Sequence, residues 1–206
     1  MGELSASIDT KLRKWIAKQP LFFVGSAPLS KKGHVNVSPK GPIGSLRVLD
    51  DATVAYLDVV GSGAETIAHV RENGRIVVML CAFEGAPRIV RLHGRGEIVL
   101  AGTKRFDELV ARAGFDDGYI PEVRRAIVVV HVARVADSCG YGVPRMRFEG
   151  PRPQVNAWGR KKLEKEGPRA LVDYQTAKNA KSIDALPAVP ARPGRRRESR
   201  PSSPRR

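Results

Sequence analysis

Two cysteines, Cys81 and Cys139, are too few and too far apart to build a disulfide framework, and neither sits in a CxxC pair or a metal-ligand spacing. A disulfide-stapled secreted scaffold is thereby excluded, a reduced intracellular setting is expected, and both thiols are expected to be packed. Histidine is equally sparse. His34, His69, His93 and His131 form no HExxH or HxxxH pair, so no metal site is expected, and each reads as a surface residue of a strand or helix. There is no P-loop GxxxxGKS/T and no GxSxG, and Gly61-Ser62-Gly63 is not completed to GxGxxG. No apolar run approaches the roughly 18 residues of a membrane span. The opening MGELSASIDTKLRKWIAKQP lacks a signal-peptide core and reads as a helix begun by Ser5 or Ser7 and stopped near Pro20. A cytoplasmic protein with no membrane contact is expected.

Acidic residues are also short: 21 Asp and Glu against 36 Lys and Arg in 206 residues leave a formal charge of +15. From Ala188 onward the chain reads AVPARPGRRRESRPSSPRR, with seven Arg, four Pro and no aromatic residue, and holds +6 of that charge. Apolar burial cannot offset the ordering entropy of such a segment, so residues 188–206 are expected to form a disordered tail. The tail reads either as a solubilising extension or as an electrostatic hook for nucleic acid or acidic lipid. The body has no zinc-finger spacing, basic heptad helix or RNA-recognition aromatic signature. At about 150 residues per domain, the length allows one domain, residues 1–150, followed by a helix and docking segment over 151–187.

Periodicity predicts strands at residues 21–27 and 34–38, joined by a Lys31-Lys32-Gly33 turn, and at 53–58, 75–82, 88–100 and 126–135. Helices are predicted over 64–72, 103–113 and about 156–173, with 178–187 irregular. Three strands precede the first good helix, so the order is not the strict alternation of a doubly wound fold and points to a small antiparallel barrel. Gly94 and Gly96 inside a long strand suit a sharp bend or a bulge.

Two segments can hold an anion. In NVSPKG, Ser38 and Lys40 stand two apart at a strand end and share a face, where a hydroxyl and an ammonium can converge on one phosphate. In VGSGAET, a glycine turn at Gly61 runs into a helix whose free amides, with the Ser62 and Thr66 hydroxyls, form a second such place. Glu65 competes there, because a carboxylate in the first helical turn satisfies the same donors.

The wording LFFVGSAPLSKKGHVNVSPKG, VAYLDVVGSGAETIAHVRENGRIVVMLCAF and RIVRLHGRGEIV resembles the pyridoxamine 5'-phosphate oxidase-like family of FMN-binding split barrels. The likeness covers roughly residues 10–140, extends loosely to Pro187, and is strongest for a subgroup sharing GSGxET and CAFEGxPRIxRLxGRG. It implies a mainly β fold with helices (α+β), an antiparallel split β-barrel, and FMN held at a homodimer interface. Carried onto matching positions, the phosphate falls to Ser38, Lys40, Ser62 and Thr66 beside Gly61. Asn36 and Val37 would run under the isoalloxazine edge and Tyr56 would flank it. The chain departs from the true oxidases in carrying His34 where they have Arg, and in placing Trp158-Gly159-Arg160 in a helical stretch, so pyridoxamine phosphate is not the expected substrate.

The resemblance implies an FMN-dependent oxidoreductase acting on a small molecule, with a pyridine nucleotide as a candidate donor. Arg88, Arg91 and Tyr141 are candidate substrate contacts, as cationic and aromatic groups that suit an anionic or planar partner. The competing reading is a module that holds flavin or haem without turnover, tethered to nucleic acid by the tail. The segment with Asn179 and Ser182 suits a lid over its own pocket or a neighbour's.

Overall fold

In the computed structural model, which describes residues 3–5 and 7–191, the best-defined strands are those buried on both faces. Strand β5 (Thr53–Val59) turns Val54 and Tyr56 to one side and Ala55 and Leu57 to the other, and all four are buried. Strand β8 (Arg124–Ser138) does the same with Val128 and Val130 against Ile127 and Val129. Such strands read as unbroken apolar runs because each phase of the alternation meets a different core.

The remaining elements are β1 (Glu3–Ser5), α1 (Thr10–Ile16), β2 (Phe22–Ser26), β3 (Asn36–Lys40), β4 (Leu46–Val48), α2 (Glu65–Asn73), β6 (Arg75–Cys81) and β7 (Ile89–Leu100). After them come α3 (Lys104–Ala113), α4 (Gln154–Glu166) and α5 (Ala170–Lys178). All strands pair antiparallel in the order β3-β2-β6-β7-β8-β5-β4, with β1 added to the end of β8. The order starts and stops at unpaired edges, β3 and β4, so the curled sheet is a split α+β barrel as expected. Its interior holds Phe22, Val24, Tyr56, Val78, Leu80 and Val90, with Leu12 and Ile16 of α1 packed in. Helix α3 covers the outer face through Phe106, and α2 packs beside the C-terminal segment.

The structure departs from several expectations. Helix α1 is capped by Asp9, whose carboxylate accepts from the Leu12 amide at 2.6 Å, while Ser5 lies in β1. The predicted helix over 156–173 is two helices, because Gly167 takes φ +87° and precedes Pro168. Cys139 is exposed, whereas Cys81 packs. His69 is fully buried on the inward face of α2, against the expectation of a surface residue. Ala188 and Val189, placed at the start of the tail, are instead buried against Ala64, Ile67 and Ala68, held by amide bonds to the Ala180 and Asn179 carbonyls. The arginine-rich stretch from Arg192 lies outside the described residues. Among the described residues no helix is long and apolar enough to cross a membrane.

Tyr56 meets Phe22 edge to face at 5.5 Å between ring centroids, and its hydroxyl is buried without a hydrogen-bond partner among the described residues. Burial, with Asp58 adding to it, pushes that phenol well above its ordinary pKa, so it stays neutral. An unpaired buried hydroxyl opposes folding by about 1–3 kcal/mol. Tyr56→Phe is therefore expected to raise the urea midpoint by the equivalent of about 1 kcal/mol. A lowered midpoint would mean that the hydroxyl is satisfied in solution.

Candidate functional site

The two segments expected from the sequence to hold an anion open on one cleft. Its volume is about 510 Å³, and Ser38, Lys40, Gly61, Ser62 and Thr66 all line it. Antiparallel pairing of β2 with β3 puts Asn36, Ser38 and Lys40 on the half-buried phase of an edge strand, with Val37 on the other phase, 65% exposed. Across the cleft, α2 begins at Glu65 with no side-chain cap, and the Glu65, Thr66 and Ile67 amides find no acceptor among the described residues. Three orphan amides at a helix start are a partial positive charge directed at the cleft. Gly61 has no atom within 4 Å of where a Cβ would stand, so the turn is open on that side. The Glu65 carboxylate folds back over Gly63.

The cleft floor is an ion cluster. Asp58 continues the inward phase of Val54 and Tyr56, and its two oxygens accept from Lys40 Nζ and Arg125 Nε, both at 2.8 Å. Arg125 also donates through Nη1 to the Gly63 carbonyl at 2.8 Å, tying the glycine turn to β8. Burial pushes the Asp58 carboxyl up, but Arg125 and then Lys40 outweigh it and hold the group at about 2. Two cations share this one carboxylate, and Glu65 brings a second carboxylate to the cleft lining, so the charged side chains of the lining balance.

A chain of polar side chains runs inward from the cleft. Ser38 donates to Asn36 Oδ1 at 3.0 Å, and Asn36 Nδ2 donates to Thr66 Oγ1 at 3.0 Å and to Ser26 Oγ at 3.4 Å. Ser26 Oγ is in turn 3.1 Å from Nδ1 of buried His69. Burial lowers the pKa of His69, so the ring is neutral.

Other expected site residues lie elsewhere. Tyr56 is a core residue with no exposure and does not reach the cleft. Arg88 is ion-paired with Asp137 and lies over Trp15, 4.9 Å from the ring centroid. Arg91 donates to Ser138 Oγ at 3.3 Å, and Tyr141 is 83% exposed. None of the three lines the cleft. Asn179 is fully buried and donates to the Gly61 carbonyl at 2.9 Å, and Ser182 Oγ accepts from the Leu186 amide. These two brace the glycine turn and the segment after α5 without lining the cleft. Sequence reasoning missed Asp58, Arg125, Tyr119 and Val155, which line it. The available signal was Asp58 itself, a charge on the inward phase of β5.

The fold agrees with the comparison of the sequence to known families. A family profile described as Pyridoxamine 5'-phosphate oxidase matches residues 8–139, most of the chain and the strands from β2 to β8. The chain belongs to the pyridoxamine 5'-phosphate oxidase family. A curated member, the pyridoxamine 5'-phosphate oxidase family protein ustO of Aspergillus flavus, is 45% identical over 139 residues, which are 67% of this chain and 54% of that protein. The chain thus spans about half the length of the curated relative it matches. A histidine-to-alanine variant of HupZ from Group A Streptococcus shares the fold, with TM-score 0.50, 24% identity, and coverage of 64% of this chain and 99% of that one. A crystal structure of an FMN-binding protein from Syntrophomonas wolfei aligns at 16% identity and TM-score 0.46, covering 66% of this chain and 85% of that one.

Proposed function

We propose that this family member binds FMN in the cleft and acts as an FMN-dependent oxidoreductase on a small molecule, as a homodimer. The observation that carries the reading is the convergence of Ser38 and Lys40 with the uncapped start of α2 on one cavity. The donor set fits a phosphate dianion: three free amides, the Ser62 and Thr66 hydroxyls, and the Lys40 ammonium. The volume falls within the roughly 300–1,000 Å³ of small-molecule pockets. Bound FMN supplies hydride or electron transfer at its ring. The chain's own part is to grip the head group, with Lys40 and Arg125 held in place by Asp58, and to offer apolar walls at Val60, Ile67 and Val155 that keep water from a planar ring.

The homodimer reading is supported by the unpaired edge of β3, where Val35 and Val37 are exposed side chains that a second copy can cover. The test is the visible spectrum of the purified protein with its mass by light scattering. Flavin bands that bleach with NADH or NADPH, in a particle of twice the chain mass, are the expected result. A colourless protein that takes up no FMN overturns the assignment. A Soret band would point to haem, and flavin that no pyridine nucleotide reduces would leave a carrier.

A further inference from the structure

After α5 the chain returns past α2 as a closed loop, residues 179–189, and none of these lines the cleft. Its base is firmly held. The Ala188 and Val189 amides donate to the Ala180 and Asn179 carbonyls, both at 2.9 Å, their side chains are buried against Ala64, Ile67 and Ala68, and Asn179 Nδ2 donates to the Gly61 carbonyl. The tip is built differently. The Ser182 amide donates to the Leu186 carbonyl and the Ser182 hydroxyl oxygen accepts from the Leu186 amide. Between them Ala185 takes φ +62°, in the left-handed region where a Cβ crowds the following carbonyl oxygen. Apolar burial does not offset that strain, since Ala185 is exposed and Ile183 is 69% exposed.

What holds the tip is Asp184. Its Oδ2 accepts from the His34 amide at 2.8 Å and its Oδ1 from His34 Nδ1 at 2.7 Å. An ionised carboxylate only accepts, so Nδ1 carries a proton whether the ring is neutral or charged. A side chain at Gly33 would collide with Pro28 and come 3.0 Å from Asp184 Oδ2, so glycine permits the approach.

His34 stands two residues before β3, which gives Ser38 and Lys40 to one wall of the cleft, and Gly61 opens the turn into the other wall. The loop thus ties the two walls together from outside. Strand β3 is an edge whose only strand partner among the described residues is β2, so its distance from α2 rests on the Asn36–Thr66 and Lys40–Asp58 bonds and on this loop. The tip is the tie that works against backbone strain and covers no core, which sets it among the first parts to open.

We infer that Ser182–Leu186 is a latch that lifts from His34 while the base stays docked on α2, and that its closure keeps the β3 wall beside the α2 wall and slows release of a molecule from the cleft. That the molecule is FMN rests on the flavin reading above; the latch itself does not.

The experiment is amide hydrogen exchange by NMR on the full chain, with the release of FMN followed by recovery of flavin fluorescence on dilution. Asp184→Ala removes hydrogen bonds to a charged acceptor, so exchange at His34 and at the β3 amides bonded to β2 should quicken about tenfold or more. Ala185→Val puts a β-branched residue at the left-handed position and should release the tip by an independent route, which covers the case in which the first variant does not fold. The two together should add little to either alone, because one latch opens only once. In all three the Ala188 and Val189 amides should stay protected and the melting temperature unchanged, and FMN should leave faster by a similar factor. Ala185→Gly, free of the strain, should exchange no faster than wild type. Faster exchange confined to the His34 amide, loss of protection at Ala188 and Val189 as well, or FMN release at the wild-type rate would overturn the inference. A protein that takes up no FMN would remove the flavin reading, and the latch would then stand or fall on exchange at β3.

Discussion

Asp58→Ala is expected to lower stability by about 3–5 kcal/mol, the range for removing one partner of a buried ion cluster. Asp58 is 2% exposed and Arg125 4%, so the guanidinium left behind cannot be hydrated without opening the barrel end. Lys40 is more exposed and can swing to solvent, which makes Arg125 the main source of the loss. The variant also frees the glycine turn, since the Arg125 bond to the Gly63 carbonyl depends on a guanidinium that Asp58 fixes in place. Acid exposes the same interaction in the unaltered protein. The folded-state value of about 2 lies below the ordinary 3.8, so the ionised form favours folding. Its contribution is full above about pH 4 and is lost as the pH falls through 2. That span corresponds to about 2 kcal/mol. Urea titrations at pH 6 and pH 2 should therefore show the gap between wild type and Asp58→Ala narrowing by about that amount. A gap that stays constant across this range would show that Asp58 is not the charged hub of the cleft.

The strands that build this site were legible because β5 and β8 face a core on each side, and an unbroken apolar run with turn residues at its ends admits few other readings. Ser38 with Lys40, and the glycine turn before Thr66, were legible as local chemistry, since strand phase and helix-start amides are properties of a few neighbouring residues. What joins them was not. The bond from Asp58 to Arg125 spans 67 positions, and a charge at a strand end reads as a solvated terminus until the partner strand is laid beside it. Arg88 shows the converse. Its cation suited a substrate contact, but pairing of β7 with β8 brings Asp137 within reach and neutralises it. His69 was misread because α2 has a weak polar pattern, and only the packing of β2 beneath it reveals which face is inward. Tyr56 was ambiguous for the same reason: on a strand with two buried faces, phase alone does not separate a cavity wall from a core.

Gly94→Ala is expected to destabilise the barrel by on the order of 3 kcal/mol, and Gly96→Ala by about 1, although both are glycines of one strand two residues apart. A methyl group at Gly94 would collide with the backbone carbonyl oxygen of His131 and come 2.8 Å from its carbon and 3.0 Å from Val132 Cα. Backbone cannot rotate away as a side chain can. At Gly96 the nearest atoms are the two Cγ methyls of Val70, at 2.9 and 3.0 Å, which belong to a single side chain on α2 and can give by a few tenths of an ångström. Gly94 also sits at the register shift between His93 and Gly94, opposite the bulge at Ala133 through which β8 changes phase against β7. Removing that bulge would turn residues 134–138 of β8 by one residue and send Val135, now in the barrel interior, to the outer face. The chain must therefore either keep the bulge with a strained contact or lose the interior side chain of Val135. Thermal unfolding of the two variants separates the cases, with the larger drop in midpoint at position 94. Equal drops would show that the penalty lies in the loss of glycine flexibility common to both sites, and that the close approach of β7 to β8 is not what bends the barrel.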